Sequence, residues 1–314
     1  MVELPIGECA FSGPRFILRK PGVVAVWMAI QILINLIGSA AMIAVMGGPL
    51  QAMMRASQNK ADPQATLAAF AALAPAYLVS LLLSLTIYAV IYGAMNRAVL
   101  RPDEGRFAYL RFGGDEFRQG VLMVAFAFLG LLVYIVAVLV GGVTVAIIGV
   151  IAGALNAPYV SVIMMVLLFV GIFALYAYLG VRVSLASAIT FDTGRIDLFG
   201  GWAMSRGRFW PMFAIYLLAA LMTAALVLAG GLLVWAVVAA SAPGQNFIQW
   251  MARPDMASVG GYFTPARVVY VLVFGALSTL ILPILLMPGA AIYRRLAPSA
   301  SPAAGGQSMD EVFG

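Results

Sequence analysis

The chain has no histidine. It therefore lacks the commonest side-chain metal ligand and the usual acid-base group at neutral pH. It has a single cysteine, Cys9, so no disulfide can form within it, and no apolar segment precedes that residue to make a lipoprotein signal. Cys9 reads as an ordinary free thiol. Lysine is nearly missing as well: Lys20 and Lys60 stand against sixteen arginines, a bias that points to a GC-rich bacterial genome. Charge of either sign is scarce, 10% of 314 residues against about 25% in a soluble domain. A water-facing surface cannot be built from so few charges.

Apolar residues make up 64% of the chain, in runs too long and too uncharged for a soluble core. The expected fold is all-α, a polytopic transmembrane helix bundle of about six spans with short amphipathic interfacial helices in its polar loops. The spans fall at about 23–47, 70–92, 120–153, 158–181, 209–240 and 268–292. A polar leader, 1–22, precedes them, and a tail, 297–314, rich in Ala, Pro, Ser and Gly, is expected to be disordered. The leader and first run resemble a secretion signal, but the run exceeds the usual apolar length of roughly 7 to 15 residues and is expected to remain as an anchor. Asp62-Pro63 marks the start of the second helix, and Pro102 its end.

Between Gln119 and Val181 there is no Asp, Glu, Lys or Arg, only the break Asn156-Ala157-Pro158, which makes a hairpin of two spans. Its first arm is longer than a hydrocarbon core of about 30 Å requires, so tilt, a bend at Gly141-Gly142 or protrusion must absorb the excess. Gly149 and Gly153 form a GxxxG pair that permits close helix approach. In the first span Gln31, Asn35 and Ser39 recur every four residues and share one face, either as interhelical hydrogen-bond glue or as the wall of a polar path.

Two arginine-rich islands join the spans, from Arg97 to Arg118 and from Arg182 to Arg208. Each contains an Asp-x-Gly-Arg turn, at Asp103 to Arg106 and at Asp192 to Arg195. Each then has Phe-Gly-Gly, at Phe112 to Gly114 and at Phe199 to Gly201. A short amphipathic helix is expected in each island, with Asp197 as a cap in the second. With six spans, the leader, both islands and the tail share one side and carry fourteen of the eighteen basic residues, leaving Arg55, Lys60, Arg253 and Arg267 opposite. Positive charge is retained in the cytoplasm, so both termini are expected there, in a bacterial inner membrane. The segment 241–265 then returns on the outer side, with Phe247, Ile248, Trp250 and Met251 at the interface.

The net charge of +6 would point to nucleic acid if the basic residues formed a face. They sit at span ends instead, so no nucleic-acid partner is expected. Membrane lipids are, anionic phospholipid among them. The expected contacts are Arg106, Arg111, Arg118, Arg195, Arg206 and Arg208, with Phe107, Leu110, Phe199 and Trp202 seated in the interface beneath them.

The decapeptide Gly201-Trp202-Ala203-Met204-Ser205-Arg206-Gly207-Arg208-Phe209-Trp210 resembles the S-W-x-L-T-R-G-R-F-W signature of bacterial six-span inner-membrane proteins, among them the membrane domain attached to some glycerophosphodiester phosphodiesterases. It departs from that signature at Gly201, Met204 and Ser205. The resemblance implies a six-helix bundle of hairpin-like repeats and no activity, because the phosphodiesterase chemistry belongs to a soluble barrel with acidic and histidine residues. No catalytic, cofactor-binding or metal-binding constellation is apparent. The expected role is a non-enzymatic scaffold, assembly factor or lipid-interacting component. The alternative is a transporter or flippase, to which internal repeats and Pro/Gly-broken helices belong.

Overall fold

A computed structural model describes residues 4–58, 63–154, 157–241, 244, 246–252, 254–256 and 258–297. Lys60, Asp62, Asn156, Arg253 and the tail beyond Ala297, on which several expectations fell, lie outside the described residues. The described residues contain helix and no strand. Six helices are long and apolar enough to cross a membrane by length and composition, so the chain is an all-α, multi-pass membrane protein.

The leader is not a free polar segment. It forms α1 (Ile6–Ala10) and α2 (Ser12–Arg19), which pack into the bundle and bury Cys9, Ala10, Ser12 and Phe16 completely. Gly13 permits the closest approach, since a Cβ there would lie 2.4 Å from the carbonyl oxygen of Pro283. The first span, α3 (Pro21–Gln58), runs through Gly47-Gly48-Pro49 without a break. The second, α4 (Pro63–Leu100), carries Pro75 inside it and ends one residue before Arg101, whose amide still closes on Arg97 O.

The neutral hairpin is α5 (Gly114–Ala154) and α6 (Pro158–Val183). At about 1.5 Å per residue α5 is roughly twice the hydrocarbon thickness, and it is one continuous helix through Gly141-Gly142. Few residues in the apolar stretches of either arm are buried within the protein, so lipid is their natural partner. Among the described residues nothing lies within 4 Å of a Cβ placed on Gly149 or Gly153.

The second island holds α7 (Ala186–Thr193), closed by left-handed Gly194 (φ 65°), and α8 (Gly200–Met204). Asp197 Oδ1 accepts from the amides of Phe199 and Gly200, so this residue does cap α8. The last spans are α9 (Phe209–Ser241) and α12 (Pro265–Leu296), linked by the short α10 (Phe247–Ala252) and α11 (Val259–Tyr262). Helix α12 is the central stave, packed against α9, α3, α2 and α4. The main hydrophobic core lies at the island end of the bundle, where Phe16, Val99, Leu185, Met212, Met287 and Ile292 are buried together.

The first island differs from its expectation. In place of an amphipathic helix it has two tight turns, Pro102–Glu104 and Arg106–Tyr109, and Phe107, Ala108 and Tyr109 all lie in the left-handed region (φ 52°, 55° and 62°). Residues with a Cβ adopt that conformation only when their surroundings impose it. Here Trp27 Nε1 donates to Ala108 O at 2.9 Å, Tyr109 OH donates to Pro102 O at 3.0 Å, and Phe16 stacks on Trp27 at 5.3 Å. Helix periodicity in Phe107, Leu110 and Arg111 could not reveal that tertiary bracing.

Candidate functional site

Three spans, α4, α6 and α12, end at the islands, and each ends in an arginine that turns into the protein. Arg97, in the last turn of α4, is 2% exposed. Its Nη2 lies 2.5 Å from Glu116 Oε1 and its Nη1 donates to Tyr109 O at 2.7 Å, while the ring of Phe191 lies 5.4 Å from the guanidinium. The left-handed turn is what delivers that carbonyl to it. A buried ion pair depends on further hydrogen bonds to its remaining donors; here Tyr109 O takes one, while Arg97 Nε is buried without a hydrogen-bond partner, 3.6 Å from Glu104 Oε2.

Arg182, at the end of α6, has an uncharged socket. It donates to Ser205 Oγ at 3.0 Å and lies over the rings of Tyr178 (5.1 Å) and Trp202 (5.5 Å). Ser205 is fully buried, and a Cβ on Gly201 would lie 2.9 Å from Arg182 O. The decapeptide 201–210 thus builds a seat for a guanidinium, with Gly207 left-handed at φ 72° to turn the chain into α9. Arg294, at the end of α12, donates to Val99 O at 2.9 Å. Beside it Tyr293 OH donates to Asp192 Oδ2 at 2.8 Å, and Arg295 pairs with Glu8. The islands, the leader and the last span are in this way tied into one assembly.

Beneath the arginines lies a neutral polar layer. Asn96 Nδ2 donates to Ser187 Oγ at 2.8 Å, Ser187 Oγ donates to Gln119 Oε1 at 2.8 Å, and Gln119 Nε2 returns to Ser187 O at 3.0 Å. A partly open cavity of about 200 Å³ adjoins it, lined by Tyr92, Asn96, Ser184, Ser187 and Tyr216 on its polar side and by Phe126 among its apolar residues. Gly289 leaves room for this wall, since a Cβ there would lie 3.1 Å from Tyr216 OH. Neither Asn96 nor Gln119 stood out in the sequence, because single amides at span ends carry no periodic signal.

The six arginines expected to contact lipid separate into two groups. Arg111 pairs with Glu104 and Arg118 with Asp115, each at 2.7 Å, and the Arg118 guanidinium lies beside Gly194 of the other island. Arg101 adds a contact to Asp115 at 3.6 Å. Arg208 is half-buried and reaches back to Met204 O at 3.4 Å. Arg106, Arg195 and Arg206 are exposed. Of the apolar residues expected beneath them, Phe107 and Phe199 are exposed, whereas Leu110 packs on the core and Trp202 is engaged by Arg182. Phe112 and Trp210 are exposed beside them.

Gln31, Asn35 and Ser39 are all half-buried. Gln31 borders a narrow gap with Trp27, Ile91, Met95 and Thr279, and Asn35 Nδ2 is buried with no hydrogen-bond partner. Among the described residues no three carboxylate or thiol side chains gather as a metal site would require. Cys9 is fully buried, which pushes its thiol up to about 11. No family model, no curated protein and no solved structure matches the chain.

Proposed function

We propose that this multi-pass membrane protein is a non-enzymatic, lipid-interacting component of a bacterial inner membrane, with its islands at the cytoplasmic surface. The observation that carries the reading is the division of the arginines. Glu104, Asp115 and Glu116 are taken up by Arg97, Arg101, Arg111 and Arg118, while Arg106, Arg195 and Arg206 stand exposed on the same joints. Exposed Phe107, Phe112, Phe199 and Trp210 accompany them, as residues seated among headgroups do. Each such cation near an anionic surface contributes about 1 kcal/mol by charge alone, and a guanidinium adds a bidentate fit to phosphate. The resemblance of residues 201–210 to six-span membrane domains accords with this role, since in this chain the segment seats Arg182 and leaves Arg206 outside.

A second reading, a carrier for a small neutral molecule, draws support from the cavity beside Asn96, Ser187 and Tyr216. Arg97, next in the chain to Asn96, is already paired with Glu116 and donates to Tyr109 O, which disfavours it as a group coupling transport to an ion gradient.

Native mass spectrometry with competing lipids of equal charge tests the first reading. Changing Arg106, Arg195 and Arg206 together to Lys keeps the charge and removes the forks. The expected result is loss of preference among those lipids with binding to acidic bilayers retained. An unchanged preference sinks the reading, and uptake of a neutral solute into proteoliposomes favours the carrier.

A further inference from the structure

The two islands balance their charge differently. The first has five arginines and four acidic residues between Arg97 and Arg118, and the second has four arginines and two acidic residues between Arg182 and Arg208. In the second, both acids are taken up by neutral donors, Asp192 by the hydroxyl of Tyr293 and Asp197 by the amides of Phe199 and Gly200. Among the described residues no carboxylate pairs with Arg182, Arg195, Arg206 or Arg208.

Arg182 and Arg208 are the half-buried pair of these four. Arg182 gives Nη1 to Ser205 Oγ at 3.0 Å and lies over the rings of Tyr178 and Trp202, while its Nε is buried with no hydrogen-bond partner. A hydroxyl and two ring faces attract a cation without neutralising it, and the C-terminus of α6 offsets only about half a charge. Arg208 Nη1 reaches Met204 O at 3.4 Å, so the two guanidinium groups touch adjacent residues, Met204 and Ser205, of one turn. Helix stability does not account for Arg208, which immediately precedes α9, where positive charge opposes the dipole. The surroundings point to the carrier of the missing anion. Tyr178, Trp202, Phe209 and Trp210 form one cluster, with ring centroids 5.4 to 6.0 Å apart, and such rings gather at headgroup depth. Farther from the island, the most apolar stretch of α6 has none of its described residues buried within the protein, which leaves it to acyl chains.

We propose that Arg182 and Arg208 hold the phosphate of one anionic phospholipid at the second island, with its acyl chains against α6. Two guanidinium forks beside a ring cluster suit a phosphate oxygen pair at the edge of a bilayer. The site rests on the lipid-interacting reading, yet its contacts come from arginines other than the exposed Arg106, Arg195 and Arg206 that carry that reading.

Native mass spectrometry of the full chain in detergent, titrated with dioleoylphosphatidylglycerol or dioleoylglycerol, reads the affinity of the first bound lipid. The probes share their acyl chains and differ by the phosphate headgroup. The wild type is expected to hold the phospholipid about tenfold more tightly. Arg182→Gln should remove most of that difference, and Arg208→Gln should weaken phosphatidylglycerol about fivefold while leaving dioleoylglycerol unchanged. Arg208→Gln decides the matter if Arg182→Gln does not fold. The variant with Lys at Arg106, Arg195 and Arg206 should keep the wild-type affinity for the first phosphatidylglycerol, so its behaviour among lipids of equal charge tests the broader reading separately. Equal binding of the two probes by the wild type overturns the site, and so does a phosphatidylglycerol affinity within about twofold of wild type in either glutamine variant. A first-lipid affinity that falls in the lysine variant also overturns it, by placing the phosphate on the exposed arginines. Lowered thermal stability of Arg182→Gln with unchanged phosphatidylglycerol affinity would reduce Arg182 to a latch between α6 and α8.

Discussion

Arg97 Nη2 lies 2.5 Å from Glu116 Oε1, with both side chains 2% exposed, so the end of the second span is locked to the start of the third through a buried ion pair. Glu116 also packs against Gly93, where a Cβ would lie 2.8 Å from Oε1. The pair therefore fixes the angle at which α4 enters the first island.

Removing one partner should cost far more than removing both. Glu116→Gln or Arg97→Met leaves an uncompensated buried group and is expected to destabilise by about 3 to 5 kcal/mol. Replacing both with apolar residues should recover much of that loss. Thermal unfolding of the single and double variants in detergent measures the coupling, and additive losses would show that the pair is not a unit.

Glycines in this chain should divide sharply by location. Gly201→Ala places a Cβ 2.9 Å from Arg182 O and is expected to cost about 1 to 3 kcal/mol, with loss of the Arg182 seat. Gly153→Ala meets nothing within 4 Å and should leave monomer stability unchanged or slightly raised. A large loss at Gly153 would mean that the GxxxG face packs against a second molecule. Unfolding at matched detergent concentration distinguishes these outcomes.

The Cys9 thiol sets a pH limit. Its folded pKa is raised from 9.0 to about 11 by burial, so the unfolded chain ionises first as pH rises. Stability tied to this group is intact below pH 9 and falls by about 2 to 3 kcal/mol by pH 11. The Cys9→Ala variant should lack that part of the alkaline decline. In the native protein at pH 8 the thiol should resist alkylation until the chain is denatured. Rapid native labelling would show that α1 leaves its seat.

Orientation is tested separately. A reporter fused after Leu296 should be active in the cytoplasm, and one inserted near Asn246 should be active outside. The reverse pattern would move the islands to the outer surface and with them the expected contact to inner-leaflet lipids.

The leader illustrates a limit of sequence pattern. Met1 to Gly22 has a polar composition with Arg15, Arg19 and Lys20, yet Cys9, Ser12 and Phe16 are among the most deeply buried residues. Short helices of 5 and 8 residues carry too little periodicity to show their buried face. Their burial depends on a recess at Pro283 that lies more than 260 residues away along the chain. In the second island, by contrast, Asp197 and Gly194 were legible because a cap and a left-handed stop are local events.

The number of spans and the position of their joints follow from the sequence alone. A long uncharged run in lipid has one way to satisfy its own backbone, the helix, and charges can rest only where the run stops. Which of those charges is buried was decided by tertiary structure. Arg97 and Arg106 belong to the same island, nine residues apart, and no local pattern ranks one above the other. Arg97 is enclosed because a left-handed turn, braced by Trp27 from another span, brings Tyr109 O to it while α5 brings Glu116. Arg106, on the outer side of that turn, is left exposed. Burying a charge requires partners that converge from distant segments, and that convergence belongs to the fold and not to any one stretch of chain.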